Sequence, residues 1–209
     1  MALPISEAQH YMTIAAYNAA VRPALVALYV LGVVLVYYAG KGSRAANLGV
    51  AALWVWTGGM YYVRVLGPFT PLGYALGGLF MLQAFLLLKV EFNLRKGFLP
   101  SLGGALAIYA LAVYPLLATF LDRGWPLFQT LGLPAPTLMF TLGLLLWAGE
   151  EVPAYAVVIP LLLSLAGAAQ GAALGSHEDL GLLVAAAGSL GLFGRKRHTP
   201  LERLESFEG

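Results

Sequence analysis

Pro134-Ala135-Pro136-Thr137-Leu138-Met139-Phe140-Thr141-Leu142-Gly143-Leu144-Leu145-Leu146-Trp147 is the stretch on which the fold turns. It reads as a non-helical leader, a helix start fixed at Pro136, and a short apolar helix carrying two threonines. From Thr137 to Trp147 such a helix is roughly 16 Å long, and about 24 Å with Pro136 and the turn to Glu151 added. The hydrocarbon core of a bilayer is about 30 Å thick. A crossing here therefore requires the loop 122–135 to dip inward or the bilayer to thin. Whether this stretch crosses decides the span count and the side on which the C-terminus lies.

Composition makes lipid the solvent. Of 209 residues, 60% are hydrophobic and only 11% charged, where a soluble domain carries about 25% charge. The polar residues are too few to coat a globule in water, so the chain reads as an all-α integral membrane protein. Cysteine is absent, which excludes disulfides, thiolate metal sites and thiol catalysis. Imidazole chemistry is confined to His10, His177 and His198. No cleavable signal peptide is expected, because the first 22 residues lack a basic leader and Glu7, Gln9 and His10 interrupt any apolar core.

Residues 6–21 suit an amphipathic helix lying in the membrane interface, with Ser6 and Gln9 as a capping box and Ser6, His10, Thr13 and Tyr17 along one face. Seven apolar spans follow near 23–40, 45–63, 72–90, 101–121, 136–151, 152–174 and 179–194, with Asp179 a helix cap for the last. Together, 1–194 make a single transmembrane helical domain. Residues 195–209 form a basic tail in which Thr199-Pro200-Leu201-Glu202 starts a short amphipathic helix.

Charge argues that the short stretch crosses. With seven crossings, Lys41, Arg44, Lys89, Arg95, Lys96, Arg195, Lys196, Arg197 and Arg203 share one face, nine of the twelve basic residues. Arg22, Arg64 and Arg123 lie on the other. The positive-inside rule then puts the N-terminus outside and the C-terminus in the cytoplasm. If the short stretch re-enters instead, the split becomes five against seven and the asymmetry is lost.

Chemistry-bearing residues are scarce. Within spans stand Thr57, Gln83, Thr119, Thr141, Ser164, Gln170 and Ser189, with Trp54 and Trp56 at mid-span. Gln83 must face the interior, since an amide in hydrocarbon needs a partner. Pro115 and Pro160 free the carbonyls of Leu111 and Ala156. No ionisable residue sits well inside a span, which argues against proton-coupled carriers and voltage sensors. Glu150-Glu151 suit a solvated turn. His177-Glu178-Asp179 with His10 lack metal-ligand spacing, so no metal and no cofactor are assigned. Gly167, Gly171 and Gly175, like Gly73 and Gly77, recur at a helix-packing spacing. The first three offer a face for a second copy or another membrane protein. No nucleic-acid partner is expected.

Several strings resemble a prokaryotic membrane-protein family, domain-of-unknown-function family 6064. They are Ala15 to Ala20, Leu53-Trp54-Val55-Trp56-Thr57-Gly58, Tyr74 to Leu87, Tyr114-Pro115-Leu116-Leu117, and Pro134 to Leu146. The resemblance implies a bundle in a prokaryotic cytoplasmic membrane and no particular activity. In the family pattern a cysteine often stands between the two prolines, where this chain has Ala135, and a histidine often stands near Tyr62.

Two functions from different classes follow. One is a transporter or permeation protein for a small uncharged solute, with Pro136, Thr137 and Thr141 meeting Gln83 and Trp56. The other is a non-transport scaffold, sensor or accessory subunit. No nucleophile–base pair or metal triad can be assembled, so catalysis ranks below both. The helix amides near Pro136 and Thr137 would point at a spot below the outer surface and favour an anion or a carbonyl oxygen.

Overall fold

Long apolar runs broken by Pro, Gly and short polar turns leave the backbone one way to satisfy its own hydrogen bonds, which is helix. The computed structural model describes residues 6–90, 92, 94–96, 98–120, 124–149 and 152–194. The tail 195–209, the Glu150-Glu151 turn, Asp122 and Arg123 lie outside the described residues. Among the described residues the chain is helical, with one isolated bridge between Leu131 and Leu133.

The helices are α1 Glu7–Val21, α2 Leu25–Gly40, α3 Arg44–Trp56, α4 Pro71–Leu87, α5 Phe98–Ile108, α6 Tyr114–Phe120, α7 Pro134–Ala148, α8 Ala154–Ala173 and α9 Leu180–Gly194. A 3₁₀ turn, Arg22–Ala24, joins α1 to α2 without interrupting them, so Glu7–Gly40 runs as 34 helical residues. Ser6 and Gln9 make both bonds of the expected capping box. Among the described residues, three helices are long and apolar enough to cross a membrane: Glu7–Gly40, Pro100–Leu117 and Ala154–Ala173. Pro71–Leu87 and Pro134–Ala148 are apolar but shorter. The outside is apolar as well, with Val26, Val33, Tyr37, Phe85, Leu162 and Leu190 more than half exposed.

α7 is the axis. All of its residues except Pro134 and Trp147 are buried. It is packed by α5, α8, α9 and the segment after α3. Two glycines set the α5 contact. A Cβ on Gly103 would lie 2.4 Å from the Trp147 nitrogen, and one on Gly143 would lie 2.8 Å from the Ala107 nitrogen. Only hydrogen at both positions lets the two backbones meet. Neither glycine belongs to a repeated spacing, so neither stood out among the 25 in the chain.

The helix begins at Pro134, two residues before the start expected at Pro136, with extended Leu133 before it. Pro134 is the first helical residue, where a missing N–H costs nothing. Pro136 falls in the same turn and loses another N–H that the helix would not have used.

Pi-helical turns modify two helices. Thr57–Leu66 continues α3 with wider winding, and Tyr109–Val113 separates α5 from α6. The second lies just before Pro115. It shifts the bonding there, with Tyr114 N–H donating to the Tyr109 carbonyl. The simple i−4 vacancy expected at Leu111 is therefore replaced by a wider turn.

Candidate functional site

Pro160 does vacate the Ala156 carbonyl, and Gln83 fills the vacancy. Its Nε2 donates to Ala156 O at 2.8 Å across the α4–α8 contact. The other amide atom, Oε1, is buried without a partner. Gln83 is thereby a pin between two helices.

Thr137 and Thr141 sit one turn apart on the face of α7 toward α3, both fully buried. Trp54 Nε1 donates to Thr141 Oγ1 at 2.8 Å, and the hydroxyls of Thr57 and Thr137 lie 3.2 Å apart. Trp56 turns elsewhere and donates Nε1 to the Tyr17 hydroxyl at 2.8 Å. Pro136 is buried in the first turn. The expected constellation of Pro136, Thr137, Thr141, Gln83 and Trp56 is thus divided among three helix contacts, with each polar head engaged by protein. The geometry does not support a permeation path along α7, because that helix is sheathed and its hydroxyls are used as rungs.

Two glycines of the Gly167, Gly171 and Gly175 stripe are also engaged within the chain. A Cβ on Gly167 would lie 3.0 Å from Leu182, and one on Gly171 would lie 2.5 Å from the Asp179 side chain. Gly175 has φ +65° and ends α8 in a left-handed turn. Gly73 and Gly77 pack against Gly67 and Val63. Gly73, Gly77, Gly167 and Gly171 thus approach other parts of the chain, whereas a Cβ on Gly175 would meet no atom within 4 Å.

The polar stripe of α1 is turned inward. His10, Thr13, Tyr17 and Asn18 are buried, while Met12, Ala16, Ala19 and Ala20 face out. Asn18 organises the leader of α7. Its Nδ2 donates to Pro126 O at 2.7 Å and to Phe128 O at 2.8 Å, and its Oδ1 accepts from Thr130 Oγ1 at 2.9 Å. Gln129 through Leu133 are all buried, so the leader descends into the protein. Gly132 takes φ +94° beneath the Tyr17 hydroxyl, where a Cβ would be 2.4 Å away.

Where the leader meets α7 there is a cavity of about 150 Å³. Its floor is Pro134, Ala135 and Leu138 of α7. Tyr62 and Leu66 wall one side, α8 another, and His10 and Gln129 bring polar atoms in from the N-terminal helix and the leader. The volume matches an apolar-core cavity that takes one benzene-sized molecule. Two lining side chains stand out. Tyr62 is 7% exposed and Gln129 8% exposed. Neither the hydroxyl nor the amide is hydrogen-bonded to another described residue, and neither is sealed off: both polar groups open onto the cavity.

At the far edge, Gln170 Nε2 lies 3.3 Å from His10 Nδ1, joining α8 to α1. Asp179 also lines the cavity and accepts a hydrogen bond from the Tyr114 hydroxyl. Glu178 and Asp179 are each 5% exposed. Ionisable groups absent from the spans are therefore not absent from the interior. Asp179 sits in a 3₁₀ turn, His177–Asp179, before α9, and its carboxylate serves Tyr114. His177 is exposed and His10 buried, and no cluster of three metal-ligating side chains occurs among the described residues.

An anion does not suit the cavity. Prolines at 134 and 136 supply no N–H, and Thr137 N–H is spent on Leu133 O at 3.1 Å. That leaves the Ala135 amide, with the Asp179 side chain on the same cavity. The helix-terminus anion site expected near Pro136 and Thr137 is thus largely dismantled by its own prolines.

The sequence marked His10 as part of the polar face of the N-terminal helix and as a metal-ligand candidate, Tyr62 only as a neighbour of a family histidine, and Gln129 not at all. Ala135, where the family pattern often has a cysteine, and Tyr62, near which it often has a histidine, both line the cavity. Comparison with curated proteins gave no match, and neither did comparison with solved structures. A family model does match, over residues 7–203, so the chain belongs to the family described as "Family of unknown function (DUF6064)".

Proposed function

We propose that the protein is a multi-pass membrane protein that binds a small uncharged molecule in this cavity, as a sensor or accessory subunit and not as a conduit. One observation carries the reading: the Tyr62 hydroxyl and the Gln129 amide, on side chains only 7% and 8% exposed, line a cavity whose floor is the start of α7. A ligand with a hydroxyl or carbonyl group would complete their hydrogen bonds, and the leucines around them would cover its apolar part. A dead end suits recognition, whereas permeation needs a path out.

Seven crossings with the N-terminus outside fit this reading. Pro134 and Ala135 share the cavity with Leu66, Leu174 and Asp179, at one end of the bundle. At the other end of α7, Trp147 O accepts from the Arg95 N–H at 2.9 Å. The two ends of α7 thus meet loops that the charge asymmetry assigns to opposite sides. The membrane is taken to be the prokaryotic cytoplasmic one. Single thiols in this cysteine-free chain, Val152→Cys and His177→Cys, should label from opposite sides of a sealed vesicle. Labelling from the same side would overturn the topology.

The ligand reading is tested with phenol, a neutral ring bearing one hydroxyl. Phenol at 100 times its Kd should stabilise the purified protein by about 2.7 kcal/mol, seen as a rise in Tm. The double variant Tyr62→Phe/Gln129→Leu should lose most of that rise. Equal rises in wild type and double variant refute the site.

A further inference from the structure

The cavity is partly open, and the exposure of its lining residues indicates where it meets the surface. α4 and α8 are pinned where Gln83 meets Ala156. Seven residues from the pin on each helix, about 10 Å along, Leu76 of α4 and Leu163 of α8 line the cavity instead of closing the gap. Both are half-buried, and Ala166 beside them is exposed. Gly167, the next lining residue, contributes no side chain. No charged side chain stands on this rim. The adjoining surface of α8 presents Leu162 and Leu165, 60% and 45% exposed, on a helix long and apolar enough to cross a membrane. Away from this gap, the edge formed by Gln170 is tied to His10. The stretch of lining exposed between α4 and α8 is therefore apolar and lateral, and the Tyr62 hydroxyl and Gln129 amide line the same cavity.

We propose that the ligand of this cavity is a neutral amphiphile carried by the bilayer, with a hydroxyl or carbonyl head and one apolar chain, entering sideways between α4 and α8. This rests on the cavity being a binding site. The head fits the inner volume of about 150 Å³ and meets Tyr62 and Gln129. Tyr62 can donate, and the Gln129 amide can both donate and accept. A carboxylate or phosphate head would meet Asp179 and a helix start stripped of donors. The chain lies in the gap between Leu76 and Leu163 and extends into lipid, which is why the rim carries no polar group. Entry from the bilayer also spares the molecule a passage through water.

The test uses a long-chain primary alcohol bearing a diazirine near its hydroxyl, in phosphatidylcholine vesicles holding the full chain, with crosslinks mapped by mass spectrometry. Labelling should concentrate on Leu76, Leu138 and Leu163. Ala166→Trp, which fills the rim, should reduce it at least severalfold. Tyr62→Phe should reduce it about fivefold, the equivalent of one hydrogen bond of roughly 1 kcal/mol. Leu162→Trp, on the outward face, should leave it unchanged. Melting temperatures without ligand identify any variant that has failed to fold, in which case Ala166→Leu replaces the tryptophan. Labelling confined to Leu162 and Leu165 while phenol still binds overturns the amphiphile and its lateral entry but leaves the cavity a binding site. Labelling of the cavity that ignores Ala166→Trp overturns the route. Loss of both phenol and alcohol binding overturns both readings.

Discussion

Gln83 and Pro160 lie 77 positions apart in sequence, yet the structure makes them one device. Pro160 withholds the N–H that would have bonded the Ala156 carbonyl, and Gln83 Nε2 supplies a replacement at 2.8 Å. The perturbation is a double-mutant cycle of Gln83→Leu and Pro160→Ala. In the parent, Gln83→Leu removes the carbonyl's donor; hydrogen bonds between membrane helices average about 0.6 kcal/mol and reach about 1.7. It also removes the orphaned Oε1, whose burial costs about 1–3 kcal/mol. The single variant should therefore sit near neutrality. In the Pro160→Ala background, the helix satisfies its own carbonyl. Gln83 then has neither amide atom engaged, and Gln83→Leu should be stabilising. The two effects of Gln83→Leu should differ by about 0.6–1.7 kcal/mol. The assay is reversible unfolding in mixed micelles, with four proteins titrated in parallel. Additivity within about 0.3–0.5 kcal/mol, the usual figure for independent sites, would refute the claim that Gln83 repairs the proline gap.

Other perturbations address the rest of the frame. Gly103→Ala places a Cβ 2.4 Å from the Trp147 nitrogen, a backbone atom that cannot swing away; it should cost at least 1–3 kcal/mol, roughly the overpacking range, read as a lower unfolding midpoint. Thr141→Val leaves the Trp54 Nε1–H unbonded in a fully buried site. It should cost about 1–3 kcal/mol while phenol affinity stays unchanged, since the threonine is outside the cavity. Asn18→Leu releases three hydrogen bonds that hold Pro126, Phe128 and Thr130. Because Gln129 sits between two of those residues, this change should weaken phenol binding more than it lowers Tm, as measured by titration calorimetry.

Much of the frame was legible in sequence because it depends on local or one-body physics. Apolar runs bounded by Pro and Gly gave the helices to within a few residues, and Ser6 with Gln9 gave a helix start. The need of a buried amide for a partner correctly sent Gln83 inward, and proline chemistry identified the Ala156 carbonyl that receives it. The cavity was not legible, because no single segment contains it. Tyr62 lies in a helix, Gln129 in a loop outside the apolar runs, and His10 in a leading helix read as interfacial. Tertiary docking through Asn18 brings them together across more than a hundred positions. The threonines of α7 misled for a related reason. A hydroxyl in a span promises either a ligand or a neighbour, and only the positions of Trp54 and Thr57 show that it is a neighbour.

The sheathing of α7 has a mechanical consequence. A helix buried on all sides, with backbone touching backbone at Gly103 and Gly143, has nowhere to bow. It is a strut about 22 Å long by its 15 residues. One end abuts the cavity and the other is bonded to the Arg95 amide. A displacement imposed at Ala135 is therefore expected to be passed along the helix to Trp147. If the cavity binds a ligand as proposed, the hydrogen-exchange rate of the Arg95 amide should change when it does.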